Sequence, residues 1–460
     1  MSGRDSLWET HVVTGSQREL AEYILEQWRM EGDVIHEDGF YFYDPDSGTW
    51  FEREIEACRR DVLALNGRIY GPKMLTSAGD VKQSRVKMTD RLCNSVLRVV
   101  ATLANRRERT SDPGFFDEAP PGVLAGGVFL TAEGGEVVEQ ALSPAWRQRF
   151  ALDLDYDRRA QCRRWERALK DWFGEDEDGA RRAALLGEFV GGALFGVSAR
   201  YQKALFLVAP GGNGKSQLLD VVSALFEGGC ATAIRPQDWS NEYQRAALSR
   251  SYVNIVPELP SKAIAEGANF KAIITGDPIG AREIYKKPFT FRPRAGHIFS
   301  GNAFPDALDT SDGFWRRILV LLMPRRFDGT EGEIRDLGKR IVHEELPGVL
   351  NWAVRGAKRL LEQDGYTIPA SSQAAVEAWR RDSDPVASWL HNRTEPAPGP
   401  GLGLRTTELF ADYKAWSESY GFPLRNLNHF SKALVRLVGP PKRTERGSLQ
   451  PLLLKSRVEL

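Results

Sequence analysis

The chain has 460 residues and a mass of 51.5 kDa, too long for one compact core, so we expect about two to four domains. Lysine and arginine total 62, as do aspartate and glutamate, so any attraction to nucleic acid must come from local charge. Charged residues interrupt the N-terminal positions and no apolar run approaches about 18 residues, so we expect no membrane segment and a cytoplasmic location.

The cysteines and histidines exclude several kinds of site. Cys58, Cys93, Cys162 and Cys230 lie far apart, without a Cys-x-x-Cys pair and without a histidine cluster near them. This pattern argues against a zinc site and against a disulfide framework. The 6 histidines are equally scattered, so a nucleophile activated by histidine has no local support.

Residues 1–105 predict a mixed α+β domain. Leu20, Ile24 and Trp28 recur at helical spacing, and the aromatic run Phe40–Tyr43 leads through a turn into a second strand-like run. Two such runs joined by a turn rich in Asp, Pro and Gly predict a β-hairpin. We expect its aromatic side chains to fill a core rather than to form a platform for stacking bases.

Residues 106–195 predict linker strands followed by a helical collar. Turn residues mark a boundary at 112–114 and again at 119–122, and short strands are predicted on either side of Gly134-Gly135. From Cys162 to Phe195 the apolar residues return to helical spacing, with Trp165 and Trp172 on one predicted face.

Residues 196–335 contain a motif typical of a phosphate-binding loop. The apolar strand Ala204–Val208 runs into a glycine-rich turn and then into a helix, which is the context that such a loop requires. Backbone N–H groups of the turn would surround phosphate oxygens, Lys215 would reach the β- and γ-phosphates, and Ser216 would supply a hydroxyl to Mg²⁺. Ala209 stands where the strict pattern has glycine, a departure of one methyl group. The candidate nucleotide-binding residues are Pro210, Gly211, Gly212, Asn213, Gly214, Lys215, Ser216 and Gln217.

The ends of two later strand patterns supply further candidates for catalysis. A strand pattern ends at Pro257-Glu258, where a carboxylate can polarise an attacking water and help to hold Mg²⁺. Two adjacent acids are usual there and proline replaces the first, so the sequence leaves open whether Asp277 or solvent assists the metal. A second strand pattern ends at Asn302, whose amide can orient the water. The alternative for Glu258 is an ordinary surface residue before a turn.

The pair Arg316 and Arg317 precedes a further apolar strand. An arginine at the start of a strand can point across a subunit boundary and stabilise charge on the phosphoryl group in a neighbour's site. The alternative is that both arginines form surface salt bridges.

Residues 336–383 predict a helical segment and residues 384–460 a winged-helix domain, with a flexible segment at 395–403. Two predicted helices and a strand-like ending carry 8 basic residues against 2 acids between positions 425 and 460. These basic residues are Arg425, Lys432, Arg436, Lys442, Arg443, Arg446, Lys455 and Arg457. We expect DNA contacts from Lys432, Arg436, Lys442 and Arg443, whereas a basic face that packs on a ring is the alternative.

These motifs together resemble the superfamily 3 helicases, most closely the phage, plasmid and poxvirus primase-helicase branch. The resemblance rests on Gly-Gly-Asn-Gly-Lys-Ser at 211–216 and on the segments 270–277, 281–282, 301–305 and 315–317. It implies an α/β P-loop AAA+ core in which Glu258 is the Walker B acid, Asn302 the sensor, and Arg316 or Arg317 the finger acting in trans. It also implies a hairpin before the sensor strand, with Lys286 and Lys287 reaching single-stranded DNA in a central channel.

The implied function is that of an ATP- and Mg²⁺-dependent DNA helicase or translocase forming a ring, with a hexamer expected, in the replication of a phage, plasmid or other mobile element. No primase motif occurs, so a separate primase or polymerase is the expected partner. One alternative is an ATP-gated DNA-binding switch, a replication initiator or defence protein without processive unwinding. A nucleotide or small-molecule kinase is another, and it predicts a monomer that DNA does not stimulate.

Overall fold

The computed structural model describes most of the chain. The described residues are 8, 11–75, 81–106, 114–134, 136–260, 267–305, 307, 311–327, 334–399, 401–419, 424, 426–444 and 447–455. Gly135, part of the boundary at 112–114, and the basic residues Arg425, Arg446 and Arg457 of the sequence predictions lie outside these ranges. None of the helices in the described ranges is long and apolar enough to cross a membrane.

The N-terminal unit packs helices on a small antiparallel sheet. Ser16 caps α1, since its side chain accepts a hydrogen bond from the Glu19 amide. The predicted hairpin is confirmed, with Tyr43 paired to Trp50, and all four residues of the run Phe40–Tyr43 are buried as core residues. The elements are α1 (Gln17–Arg29), β1 (Val34–His36), β2 (Phe40–Asp44), β3 (Thr49–Arg53), α2 (Ile55–Leu63), β4 (Ile69–Leu75), β5 (Val81–Arg85) and α3 (Asp90–Ala104).

A second unit joins a three-stranded antiparallel sheet to helices that pack on the next sheet. Its elements are β6 (Val123–Ala125), β7 (Val128–Glu133), β8 (Glu136–Gln140), α4 (Arg163–Phe173), α5 (Glu177–Leu194) and α6 (Ser198–Tyr201). The helical periodicity predicted the buried face of α4 correctly, because Trp165, Leu169 and Trp172 are all at most 3% exposed. That face belongs to the same core as the central sheet.

The centre of the molecule is a parallel sheet of five strands. Because all five strands run in one direction, the segments that follow them meet at one edge of the sheet. We call this the carboxyl edge and the opposite one the amino edge. In chain order the strands are β9 (Ala204–Val208), β10 (Ala231–Thr232), β11 (Val253–Val256), β14 (Gly296–Gly301) and β15 (Ile318–Leu322). Across the sheet their order is β10-β11-β14-β9-β15.

Short helices and one hairpin connect these strands. They are α7 (Lys215–Ala224), α8 (Glu242–Ala246), α9 (Gly267–Thr275), the hairpin strands β12 (Ile279–Ala281) and β13 (Phe289–Phe291), and α10 (Asp312–Trp315). The hairpin enters directly before β14 and so lies toward the amino edge of the sheet. Within β14, burial lowers the pKa of His297 to about 3, which keeps this imidazole neutral in the sheet core.

Two further helices complete the core around the sheet. These are α11 (Leu337–Gln363), which packs on α5, and α12 (Ala370–Ser383), which covers the outer strand β15. The Val320 amide of β15 donates to the Ser372 hydroxyl at 3.2 Å, so part of the exposed strand edge is closed by a helix. The segment after α10 therefore contributes to the same fold as the sheet.

The α5–α11 crossing depends on glycine. A Cβ at Gly356 would collide with the backbone carbonyl of Gly187, so the two helix backbones approach too closely for alanine. We expect Gly356→Ala to lower the free energy of unfolding by about 1–3 kcal/mol, measured by chemical denaturation. Gly365→Ala is the matched control, because no atom lies within 4 Å of a Cβ there. Equal stability of the two variants would contradict this close crossing.

The C-terminal unit has its own small core around Trp389, Tyr413 and Phe430. Its elements are α13 (Pro385–Arg393), β16 (Thr394–Pro396), α14 (Thr406–Ser419), α15 (Leu427–Val438), β17 (Lys442–Thr444), β18 (Gly447–Leu449) and β19 (Leu452–Leu454). The prediction of a flexible segment at 395–403 is partly wrong. Its start pairs with β19 as β16, and the Ala397 amide donates to the Pro451 carbonyl at 3.0 Å. Local composition does not reveal such a distant strand partner.

Candidate functional site

A glycine-rich loop, residues 209–214, leaves β9 at the carboxyl edge and enters α7. Gly212 and Gly214 have φ angles of 78° and 84°, a region that glycine adopts without strain. At Gly214 space is also restricted, since a Cβ would collide with Nε1 of Trp172 in α4. Both the loop conformation and its contact with α4 therefore require glycine at this position.

Hydrogen bonds from three directions fix this loop. The Ala209 amide donates to the Gly301 carbonyl at 3.2 Å, and the Phe327 amide donates to the Gly212 carbonyl at 2.7 Å. Asn213 is 2% exposed, and its amide nitrogen donates to the Met323 carbonyl at 3.5 Å. The side chain of Asn213 thus points into the fold and holds the loop, whereas Gly211, Gly212 and Ser216 are exposed to solvent.

The side chain of Gln217, in the first turn of α7, also forms a hydrogen bond within the fold. Its side-chain oxygen accepts a hydrogen bond of 2.6 Å from the Gly338 amide at the start of α11. The sequence predicts both Asn213 and Gln217 as nucleotide-binding residues. In the structure their side chains hold the loop and α7 against neighbouring segments.

Lys215, Glu258 and Asn302 meet at the carboxyl edge. The Lys215 ammonium donates to the Asn302 side-chain oxygen at 2.7 Å. Burial lowers the pKa of Lys215, and the nearby Glu258 carboxylate partly opposes that shift by favouring the cation. The three residues come after the three neighbouring parallel strands β9, β11 and β14, and this arrangement brings them together although they are distant in sequence.

Glu258 is exposed and lies after β11, from which Pro257 separates it. Its position is set by the next residue, since the Leu259 amide donates to the Ser300 carbonyl at 2.6 Å and continues the pairing of β11 with β14. Among the described residues, Ser216 of α7 and Glu258 have exposed side-chain oxygens of the kind that a hard cation prefers.

Asp277 does not join this group. It follows α9, and the preceding Gly276 lies against Ala199 and the Pro293 carbonyl, two segments that lead into the starts of β9 and β14. Asp277 accepts a 2.6 Å hydrogen bond from the Thr275 hydroxyl. It is thus at the amino edge, and the assistance to a metal that the sequence left open for Asp277 is not supported by its position.

Arg316 and Arg317 lie at the amino edge, before β15. The register pairs Ile318 with Ala204 and Leu322 with Val208, so about 13 Å of strand separates this edge from the glycine-rich loop. Arg317 is 6% exposed and donates to the Gly313 carbonyl, whereas Arg316 is exposed. The sequence does not indicate which of the two arginines is the candidate finger. Their burial distinguishes them, because Arg316 is exposed and Arg317 is buried.

The hairpin β12–β13 ends in an exposed tip with Lys286 and Lys287. Lys286 forms an ion pair with Glu283 at 2.5 Å, and Lys287 is exposed. The tip borders a cavity of about 390 Å³ that also touches Glu52 and Arg250. Glu52 and Arg250 themselves form an ion pair that links the N-terminal unit to the segment before β11.

The basic residues of the C-terminal unit differ in their availability. Lys432, Lys442 and Arg443 are exposed. Arg436 instead forms an ion pair at 2.7 Å with Asp384, which is 4% exposed and precedes α13. Arg436 therefore has a packing role within the unit, and the DNA contact expected from it competes with that ion pair.

One comparison with known proteins concerns the central part of the chain. Residues 207–317 match the model of a family described as a family of unknown function, DUF5906. That stretch begins in β9 and ends at Arg317, so it includes the glycine-rich loop, Glu258 and Asn302.

The chain is also similar to apo structures of the NrS-1 C-terminal region. One has a TM-score of 0.46 and 11% identity, covering 95% of this chain and 99% of that chain. A second has a TM-score of 0.45 and 12% identity, covering 91% and 87%. A third has a TM-score of 0.37 and 10% identity, covering 73% and 96%.

Proposed function

We propose that this chain is a P-loop ATPase of the AAA+ type that works as a ring-forming superfamily 3 DNA helicase or translocase, in replication of a phage, plasmid or other mobile element. The observation that carries the proposal is the convergence of Lys215, Glu258 and Asn302 on one edge of a parallel sheet, beside an exposed glycine-rich loop. A cation, an acid and an amide at the end of such a loop suit hydrolysis of a nucleoside triphosphate.

Each residue has a separate task in this proposal. Backbone N–H groups of the loop and Lys215 bind the phosphates of ATP, and Ser216 with Glu258 would hold Mg²⁺, which neutralises charge on the phosphates. Glu258 accepts a proton from the attacking water, and the Asn302 amide orients that water. Because the Lys215 ammonium already contacts Asn302, phosphate binding replaces this hydrogen bond and releases the amide for its task.

Assembly into a ring would give a function to Arg316, which lies at the amino edge of the sheet. Arg316 is exposed at the amino edge and cannot reach the loop of its own subunit through the sheet. In a ring it would face the carboxyl edge of the next subunit and stabilise charge on the transferred phosphoryl group. The exposed Lys286 and Lys287 would contact the backbone of single-stranded DNA, and Lys432, Lys442 and Arg443 would contact duplex DNA.

The test is the rate of ATP hydrolysis with and without single-stranded DNA, with the mass of the assembly measured in the same samples. We expect a particle of ring size whose hydrolysis rises several-fold with DNA, and a strand-separation signal on a forked duplex. A monomer that ignores DNA would contradict the proposal and favour a kinase. Hydrolysis without strand separation, in a ring that still binds DNA, would favour the ATP-gated switch.

A further inference from the structure

The N-terminal unit separates its charges along the sequence. Residues 11–63 contain 5 basic and 13 acidic residues, whereas residues 64–106 contain 8 basic and 2 acidic residues. We call these two segments the acidic half and the basic half. The whole chain has no net charge, so the separation is a property of this unit. A charge asymmetry of this kind is typical of a protein that binds a polyanion.

The acidic half contacts cations near the central sheet. Glu52 forms the ion pair with Arg250 that links the two parts of the molecule. Glu37, Asp38 and Glu52 also line the cavity of about 390 Å³ at the hairpin tip, together with Lys286. Within the described part of the chain, no residue of the basic half lines this cavity. The side of the unit that faces the hairpin is therefore the acidic one.

The basic half presents one side of α3 to solvent. This helix packs on α1, α2 and β1. Its buried residues are Cys93, Val96, Leu97, Val100 and Ala104. The opposite side is exposed, contains no acid, and consists of Arg91, Asn94, Arg98, Thr102 and Asn105. Because Arg91 and Arg98 are two helical turns apart, they point the same way, with about 10.5 Å between them along the axis.

Further exposed cations precede this helix in the β4–β5 hairpin and in the connection to α3. We define the basic face as Lys73, Arg85, Lys87, Arg91 and Arg98, all of which are exposed. In the ranges that the structure describes, no ion pair engages these five side chains, whereas the neighbouring Asp90 pairs with Arg59 at 3.4 Å. Like charges on one surface repel each other, and a bound polyanion relieves that repulsion.

The kind of polyanion follows from the side chains between the cations. The exposed large apolar residues of the basic half are Ile69 and Leu103, which are aliphatic, and among its described residues no aromatic side chain is exposed. Sites for single-stranded nucleic acid combine cations with aromatic side chains on which bases stack. Cations and neutral polar groups without aromatic residues suit contacts to phosphates, which position a duplex without reading its sequence.

We propose that the basic face binds the phosphate backbone of duplex DNA. The choice of DNA rather than RNA rests on the proposed function, whereas the face itself is independent of the glycine-rich loop. The acidic half holds the N-terminal unit against the hairpin, and the basic half holds a duplex. This surface is separate from the exposed cations of the C-terminal unit, so the chain contacts duplex DNA at two places.

The experiment measures binding of the full chain to a labelled DNA duplex by fluorescence anisotropy, without nucleotide, over a range of salt concentrations. The test variant combines Lys87→Ala, Arg91→Ala and Arg98→Ala. We expect its affinity to fall by about tenfold or more at physiological salt. The slope of log affinity against log salt should fall by about 2–3, because each lost phosphate contact removes about 0.9.

The matched control removes the same charge from the acidic half, by combining Arg18→Ala, Arg29→Ala and Arg60→Ala at three exposed arginines. It should bind within about twofold of the wild type. A second variant keeps the charge by combining Lys87→Arg, Arg91→Lys and Arg98→Lys, and it should also bind like the wild type. Equal weakening by the test variant and the control would overturn the basic face as a site, since net charge alone would then explain the loss.

The same variants are measured with single-stranded DNA. A loss of affinity for the single strand as large as that for the duplex would overturn the assignment to duplex DNA. The failure of this inference is distinguishable from that of the proposed function. A protein that hydrolyses ATP, but whose affinity for duplex DNA is the same in the test variant, overturns only the basic face. A protein without ATP hydrolysis, in which the test variant loses affinity as expected, overturns only the proposed function.

Discussion

Replacing Lys215 by alanine is expected to lower the rate of ATP hydrolysis by at least about a hundredfold, the usual effect of removing a group that stabilises transition-state charge. Lys215 is the ammonium group at the glycine-rich loop, and its hydrogen bond of 2.7 Å to Asn302 places it where the phosphates would lie. The measurement is steady-state release of phosphate at saturating ATP, with single-stranded DNA present.

The control for this prediction is Lys414→Ala. Lys414 is an exposed lysine of α14 in the C-terminal unit, 4.0 Å from Glu418, and its loss should leave both stability and hydrolysis near the wild-type values. If Lys215→Ala hydrolyses ATP as fast as Lys414→Ala does, the loop is not the site of hydrolysis and the proposed function is wrong.

Replacing Arg316 by alanine is expected to lower hydrolysis by a factor on the order of a thousand, because an arginine supplied in trans contributes that much to phosphoryl transfer. The affinity for ATP should change little, since Arg316 lies at the opposite edge of the sheet from its own loop. The decisive measurement mixes Arg316→Ala subunits with Lys215→Ala subunits. Mixed rings contain interfaces that combine an intact Lys215 with a neighbour's intact Arg316, so activity should reappear.

Two arginines provide the controls for this mixture. Arg380→Ala removes a nearby exposed arginine, which pairs with Asp312, and should remain active by itself. Arg317→Ala removes a buried side chain bonded to the Gly313 carbonyl, so we expect a lower melting temperature. Failure of the Arg316→Ala and Lys215→Ala mixture to regain activity, in rings shown to contain both subunits, would exclude action of Arg316 in trans.

Local patterns in the sequence were sufficient for several features of this protein. The hairpin around Tyr43 and Trp50, the buried face of α4 and the strand-loop-helix unit around the glycine-rich loop all appear where their patterns indicated. In each case the determining interactions join residues close in sequence, such as hairpin pairs or side chains one helical turn apart. The candidate residues Lys215, Glu258 and Asn302 could also be named from strand ends alone.

Other features depended on contacts between distant segments. The position of Asp277 at the amino edge, the burial of Arg317 rather than Arg316, and the pairing of β16 with β19 follow from the order in which strands and helices pack. A cavity of about 430 Å³ beside the glycine-rich loop also depends on such contacts, because Trp172 and Phe327, which line it, come from segments on opposite sides of the loop in sequence.

The sequence by itself therefore determined which residue types are candidates for phosphate chemistry and, where a local pattern was present, which segments would be helices or strands. The tertiary structure alone decided which of those residues are neighbours, which are held inside the fold, and which cavity lies beside the loop. The physical reason is that periodicity and turn chemistry act within one segment, whereas strand order, burial and close packing are set by the whole chain at once.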